Sequence, residues 1–138
     1  MVIDYDNFYI VNNRSVMNFH FFYVYYDGEM YYHGLSYQGL NQKQKYVKVK
    51  RGIGLMNLQR RILKAMGLDH YRHNTSIVYR APQQVVETQV FYNSLQLSSG
   101  VEVKMMWEIV AQMVAQGFIA SDLYVTVEPA TVEAGKGS

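Results

Sequence analysis

The feature that most constrains this chain is an unbroken run of aromatic, β-branched and histidine side chains at residues 19–26, with the sequence FHFFYVYY. Such residues favour an extended strand. The run stops at Asp27 and Gly28, a pair typical of tight turns, so a hairpin or sharp bend is expected there. Residues 29–32 can begin the return strand, before a connector rich in Gly and Gln at residues 34–44.

Residues 46–50 alternate between apolar and polar side chains. Successive side chains of a strand point to opposite faces, so Val47 and Val49 should face a core. Tyr46, Lys48 and Lys50 should then form an exposed, basic row on the other face.

Two helices are expected. Apolar residues recur at helical spacing from Leu55 to Met66, and Gly67 stands where a helix would end. Ser99 and Glu102 fit a capping box, in which the Ser hydroxyl accepts the backbone N–H of the third helical position and the Glu reaches back. The second helix should run from about residue 100 to residue 116.

Further strands are predicted at residues 75–79, 90–92 and 123–127, with Pro82 ending the first of them. Together the elements suit an α+β fold of the β-grasp type, a mixed sheet covered on one face by helices. The strands at residues 19–26 and 123–127 would lie side by side at its centre. A ferredoxin-like sandwich is the second choice.

A chain of 138 residues has room for one domain. The composition divides it into an N-terminal arm (residues 1–18), the β-grasp domain (residues 19–128) and a flexible C-terminal tail (residues 129–138).

Several segments also resemble a known family, the N-terminal PB1-like, ubiquitin-like domain of plant Mutator-like transposases and of proteins derived from them. These segments are residues 23–30 (YVYYDGEM), 58–67 (LxxxILxxMG), 77–82 (IVYRAP), 101–107 and 122–125. The resemblance implies a β-grasp interaction module from a plant, acting in the nucleus or cytoplasm.

The chain also departs from that family. Nothing in it corresponds to the transposase catalytic carboxylates or zinc knuckle, and residues 98–102 hold a single acid where acidic PB1 domains carry a cluster. Lys48 and Lys50 are plausible counterparts of the basic row of PB1 domains. The resemblance therefore implies binding rather than transposition chemistry.

The charges are segregated along the chain. Ten of the 13 Lys and Arg residues lie within residues 43–80, where Asp69 is the one acid. A surface of one sign attracts partners of the other sign, so we expect a basic surface that binds an acidic protein, although a purely solubilising role remains open. Its candidate residues are Lys48, Lys50, Arg51, Arg60, Arg61 and Lys64.

The second helix has more apolar residues than one buried face needs. Val103, Met106, Trp107, Val110 and Met113 form one stripe, and a second stripe, consisting of Val101, Met105 and Ile109, points elsewhere. We expect this second stripe to be an oligomer interface, most simply of a homodimer. The alternative is a deep core helix covered by the N-terminal arm.

Several functions are disfavoured. The chain has no cysteine, which removes disulfides and thiolate chemistry, and His70 and His73 lack further ligands to complete a metal site. We expect no cofactor, no metal, no catalytic residue and therefore no enzyme. No apolar stretch is long enough to cross a membrane, and no secretory signal is evident, so we expect no membrane association and an intracellular location.

The leading hypothesis is a non-catalytic protein-interaction module that also self-associates. A nucleic-acid-binding module derived from a transposase is the alternative, because lysines beside Tyr46 can also contact phosphates and stack on bases.

Overall fold

The computed structural model describes residues 8–11, 14–32 and 35–130. Eleven elements follow in chain order: β1 (Phe8–Val11), β2 (Arg14–Met17), β3 (Phe19–Tyr26), β4 (Glu29–Tyr31), β5 (Ser36–Gln38), β6 (Lys43–Lys50), α1 (Leu55–Ala65), β7 (His73–Val86), β8 (Gln89–Gln96), α2 (Gly100–Ala115) and β9 (Ala120–Pro129).

The main sheet has five strands in the order β6-β3-β9-β7-β8. β3 and β9 are parallel neighbours near its centre, whereas every other neighbouring pair is antiparallel. The prediction that residues 19–26 and 123–127 lie side by side is therefore confirmed. The chain is an α+β protein with a mixed sheet and two helices, and its strand order is compatible with a β-grasp arrangement.

Both helices share one core with a single face of the sheet. Alternate residues of the strands supply that face: Phe22, Val24, Val47, Val49, Ile77, Tyr79, Ala81, Leu123 and Val125. α1 adds Leu58 and Ile62, and α2 adds Val103, Met106 and Val110. The alternation predicted for residues 46–50 is confirmed, since Val47 and Val49 are 2% and 1% exposed while their neighbours on the strand are exposed.

The helix ends follow from local sequence. α1 ends where Met66 caps it, and Gly67 follows with a φ of 74°, a left-handed conformation that glycine adopts without strain. Ser99 caps α2, but its hydroxyl accepts the N–H of Val101, at the second helical position rather than the third, over 3.3 Å. Glu102 reaches back as predicted. Its carboxylate accepts the hydroxyl protons of Ser98 and Ser99 at 2.8 and 2.9 Å, and hydrogen bonds from the hydroxyl and backbone groups of both serines lower the pKa of Glu102.

The prediction that residues 29–32 begin the strand returning along β3 is wrong. β4 pairs with β5 in a separate two-stranded hairpin, and β6 is the strand that pairs with β3, from Tyr26 opposite Lys43 to Phe19 opposite Lys50. The physical reason is burial. β6 offers two valines to the core, whereas all three β4 residues are exposed.

Pro82 does not end the strand that precedes it, as the sequence suggested. β7 continues to Val86, with a register shift between Pro82 and Gln84. Pairing of β7 with β9 stops at Arg80 opposite Asp122. Beyond that point, among the described strands, β7 pairs on one side only, with β8. Proline is tolerated at such edges and bulges because its missing N–H is not needed there. β8 and β9 are likewise longer than predicted.

The predicted arm contains regular structure. β1 and β2 form a two-stranded antiparallel hairpin within residues 1–18. Most of the predicted tail, residues 131–138, lies outside the described residues. Neither α1 nor α2, in the part of the chain that the structure covers, has the length and hydrophobicity needed to cross a membrane.

Candidate functional site

The side of the sheet opposite the helices carries a mixed aromatic and basic surface on β3 and β6. Its cross-strand pairs are Phe19 with Lys50, Phe21 with Lys48, and Tyr23 with Tyr46. These residues alternate with the core residues of the same strands, so they share the face that the helices do not cover. We call these six residues, Phe19, Phe21, Tyr23, Tyr46, Lys48 and Lys50, the aromatic–basic face.

The rings of the aromatic–basic face are packed against one another. Phe21 and Tyr46 stack with centroids 4.7 Å apart and planes 10° apart, and Tyr23 lies 4.8 Å from the same Tyr46 ring. Phe19 meets Phe21 edge to face at 5.1 Å. Such pairs contribute about 0.5–1.5 kcal/mol each beyond area burial. The rings therefore form an ordered platform rather than a set of independent side chains.

One cation lies directly on this platform. The Lys48 Nζ atom is 3.8 Å from the centroid of the Phe19 ring, within cation–π range. Lys50 forms no salt bridge with any residue that the structure describes. Tyr46 remains 49% exposed and Tyr23 37% exposed. The aromatic–basic face thus offers both apolar area and positive charge to solvent.

His20 lies on the core side of β3, within the same strand. It is 2% exposed, and its Nε2 atom is 2.8 Å from the Ser121 Oγ atom. Burial, together with the smaller effect of the nearby Arg51 charge, lowers the pKa of His20 to about 4. His20 is therefore neutral at pH 7 and acts as a packing residue, which its position among aromatic residues in the sequence also favours. His33 also stands among aromatic residues in the sequence, which favours a packing role for it, but it lies outside the described residues.

The neighbouring part of the same sheet side is covered by the β4–β5 hairpin. Tyr37 stacks on Tyr124 with centroids 5.2 Å apart, and Tyr124 is only 5% exposed. Arg80 donates from Nε to the Leu35 carbonyl at 3.1 Å, and its Nη1 atom is 3.4 Å from Asp122 Oδ2. Burial raises the pKa of Asp122, and Arg80 opposes that rise. These contacts attach the hairpin to β7 and β9 beside the aromatic–basic face.

The six basic residues predicted as one surface fall on two sides of the sheet. Lys48 and Lys50 belong to the aromatic–basic face, and Arg51 follows them at the end of β6. Arg60, Arg61 and Lys64 lie on α1, which packs on the opposite side. The alternation of β6 causes this division, because the valines that hold α1 point away from Lys48 and Lys50.

Arg60 of α1 lines a cleft of about 340 Å³ between α1 and the start of β7, together with His70 and His73. His73 contacts the Asp69 carbonyl through Nδ1 at 3.0 Å. Within the described residues, no group of three or more His, Asp or Glu side chains is placed to hold a metal ion.

The predicted second stripe of α2 is divided by exposure. Val101 is 66% exposed and Met105 44%, whereas Ile109 is half-buried at the margin of the core. Val103 and Met106, from the first stripe, are 2% and 0% exposed. The exposed part of the second stripe is therefore small but continuous along one side of the helix.

Tyr46 was placed on the exposed row from sequence, but Phe19, Phe21 and Tyr23 of β3 were missed. The run at residues 19–26 has aromatic side chains at both odd and even positions, so it reads as a strand without showing which face is buried. The signal that could have separated the faces is its odd positions, which are all aromatic, while Val24 and His20 stand at even ones.

A comparison with known protein families finds no match, and neither does a comparison with curated protein sequences.

Proposed function

We propose that this chain is a β-grasp, ubiquitin-like domain of the PB1-like kind that binds an acidic protein segment through its aromatic–basic face. The order β6-β3-β9-β7-β8, with parallel central strands and a helix after β6, supports the β-grasp assignment. A transposase-derived origin and a nuclear or cytoplasmic location stay predictions from the resemblance.

The observation that carries the proposal is the register of β3 and β6, which places Lys48 and Lys50 opposite Phe21 and Phe19 on an exposed face. Carboxylates of a partner would pair with the ammonium groups. Apolar side chains of the same partner would pack on the Tyr46 and Tyr23 rings, since aromatic residues are common binding hot spots. Charge would provide orientation and association rate, and the rings would supply most of the affinity.

The remaining basic residues have a supporting role in this proposal. Arg51 follows Lys50 just beyond the end of β6, and Arg60, Arg61 and Lys64 add positive potential from the helix side. Such charges accelerate the approach of an acidic partner without contacting it. The exposed stripe of Val101 and Met105, with Ile109 at its margin, is proposed as the self-association surface.

A nucleic-acid partner is the second candidate, and the stacked rings of Phe21 and Tyr46 favour it specifically. Proteins that bind single strands combine aromatic platforms on a sheet with cationic side chains, because bases stack on the rings while cations contact phosphates. The same face could bind DNA or RNA in that way. The two candidates differ in how strongly binding depends on salt.

The test is fluorescence anisotropy with three labelled probes, an acidic peptide, a single-stranded DNA and a duplex DNA, each across a salt series. We expect the acidic peptide to bind and both DNA probes to bind weakly. Submicromolar DNA binding with a steep salt dependence would instead support the nucleic-acid candidate.

Two double variants with equal charge change locate the surface. Lys48→Glu with Lys50→Glu should weaken peptide binding at least tenfold, because it reverses the two cations on the aromatic–basic face. Arg60→Glu with Lys64→Glu changes the net charge equally on the other side of the sheet and should have a smaller effect. Equal losses in both variants would show that only overall charge matters.

A further inference from the structure

The two edges of the main sheet differ in charge. β6, at one edge, carries four lysines among its eight residues. β8, at the other edge, has the sequence QVFYNSLQ and carries no charged residue. Exposed edges pair readily with other strands, and soluble proteins commonly prevent this with lysine. β6 has that protection and β8 lacks it.

The β7–β8 hairpin extends beyond the rest of the sheet. Pairing of β7 with β9 stops at Arg80, but pairing with β8 continues to Val86 opposite Gln89. Residues 83–89 are all exposed. Val85, Val86 and Phe91 keep 45%, 44% and 46% of their surface in solvent. Two-stranded ribbons are marginally stable alone in water, so an added strand would stabilise this one.

The second apolar stripe of α2, with Met105 and Ile109, lies toward the β8 edge. Trp107 donates from Nε1 to the Ile53 carbonyl at 2.9 Å, and Ile53 follows β6, so this flank of α2 faces the lysine-bearing edge. Each helical residue advances by about 100° around the axis. Met105 and Ile109 are two positions before and after Trp107, so they lie on the flank of α2 opposite Trp107. α2 packs on β7 and β8, so that flank lies beside β8.

We propose that two copies of this chain associate by antiparallel pairing of β8 with β8 of the second copy, with the Met105–Ile109 flanks of the two α2 helices meeting beside the two-fold axis. The two sheets then form one continuous sheet. The inference rests on the self-association part of the proposed function and is independent of the aromatic–basic face.

A second copy fits this edge for reasons of symmetry and charge. An antiparallel pair of identical strands places residues of β8 opposite residues of β8, and like charges there would repel. β8 has none, so the pairing has no electrostatic cost. The same symmetric pairing through β6 would bring lysines against lysines. The exposed side chains of Val85, Val86 and Phe91 on the ribbon and the α2 flank add buried area that backbone hydrogen bonds alone do not provide.

The test is sedimentation velocity over a concentration series of the wild-type chain and an edge variant, Phe91→Lys with Asn93→Lys, which gives β8 the protection that β6 has. Both positions are exposed, so the monomer should keep its thermal stability. Gln44→Lys on β6 is the control, an exposed residue on the other edge. We expect the wild type and the control to be dimeric and the edge variant to be at least tenfold weaker in self-association.

A wild-type chain that stays monomeric at high micromolar concentration would overturn the inference, as would an edge variant that dimerises like the wild type. Hydrogen exchange of the wild type gives a readout that needs no variant: β8 amides should gain protection as concentration rises, and unchanged exchange there would also overturn it. Dimerisation and binding of the acidic peptide can be tested separately. The edge variant should still bind the peptide, and the variant with Lys48→Glu and Lys50→Glu should still dimerise.

Discussion

Acid should destabilise this domain through His20. The side chain is 2% exposed and its pKa in the folded chain is about 4, below the ordinary value of 6.5, because burial disfavours the imidazolium and Arg51 adds repulsion. The unfolded chain binds a proton on His20 below about pH 6.5, whereas the folded chain does not until about pH 4. Stability from this group is therefore complete above pH 6.5 and is lost as the pH falls toward 4.

The magnitude follows from the two pKa values. Their separation corresponds to a limit of about 3.4 kcal/mol below pH 4. At pH 5 the loss should be about 2 kcal/mol relative to pH 7.5. For a domain of ordinary stability this is a large fraction of the total free energy of unfolding.

The assay is urea unfolding of the wild type and of His20→Gln at pH 7.5 and pH 5. Other titrating groups are common to both proteins, so the difference between the two pH effects isolates His20. We expect the wild type to lose about 2 kcal/mol more than the variant between these conditions. Equal losses in the two proteins would refute the burial argument for His20.

Three further predictions concern the fold and the helix surface. Met105→Glu should weaken self-association and leave the melting temperature nearly unchanged, since Met105 is 44% exposed; a variant that unfolds would show by circular dichroism that α2 is a core helix on this side too. Ile62→Ala should lower the free energy of unfolding by about 2–5 kcal/mol in urea titration, because Ile62 is 0% exposed. Gly28→Ala should lower the melting temperature, because the added Cβ atom would lie 2.8 Å from the Gln38 carbonyl oxygen and 2.6 Å from the Tyr37 ring; an unchanged value would contradict the close approach.

The arrangement of the core was accessible from sequence because burial leaves a periodic pattern. Val47 and Val49 alternate with exposed residues, and the helices show the 3.6-residue period together with Gly67 and Ser99 at their ends. The positions of both helices followed from these local patterns. The adjacency of β3 and β9 followed from the strong β character of residues 19–26 and 123–127.

Pairing partners were harder to predict, because they depend on residues far apart in the chain. The turn at Asp27 suggested an immediate return strand, but only a strand with its own buried residues could cover the edge of β3, and that strand is β6. A proline within a run predicts the end of a strand, so the local sequence ends β7 at Pro82. Nothing local shows that pairing with β9 already stops at Arg80, which makes the proline tolerable.

The candidate site was half predictable for the same reason. Lys48 and Lys50 follow from alternation within one strand, whereas their apposition to Phe21 and Phe19 depends on the register between β3 and β6. The division of the basic residues between two sides of the sheet likewise required the position of α1.

Partner docking on the aromatic–basic face is tested most directly by mapping backbone amide signals in NMR spectra while an acidic peptide is added. Binding should shift the signals of Phe21, Tyr23, Tyr46 and Lys48 together, saturating with one affinity. Shifts confined to the cleft beside Arg60, or spread evenly over the charged residues of the domain, would contradict the account.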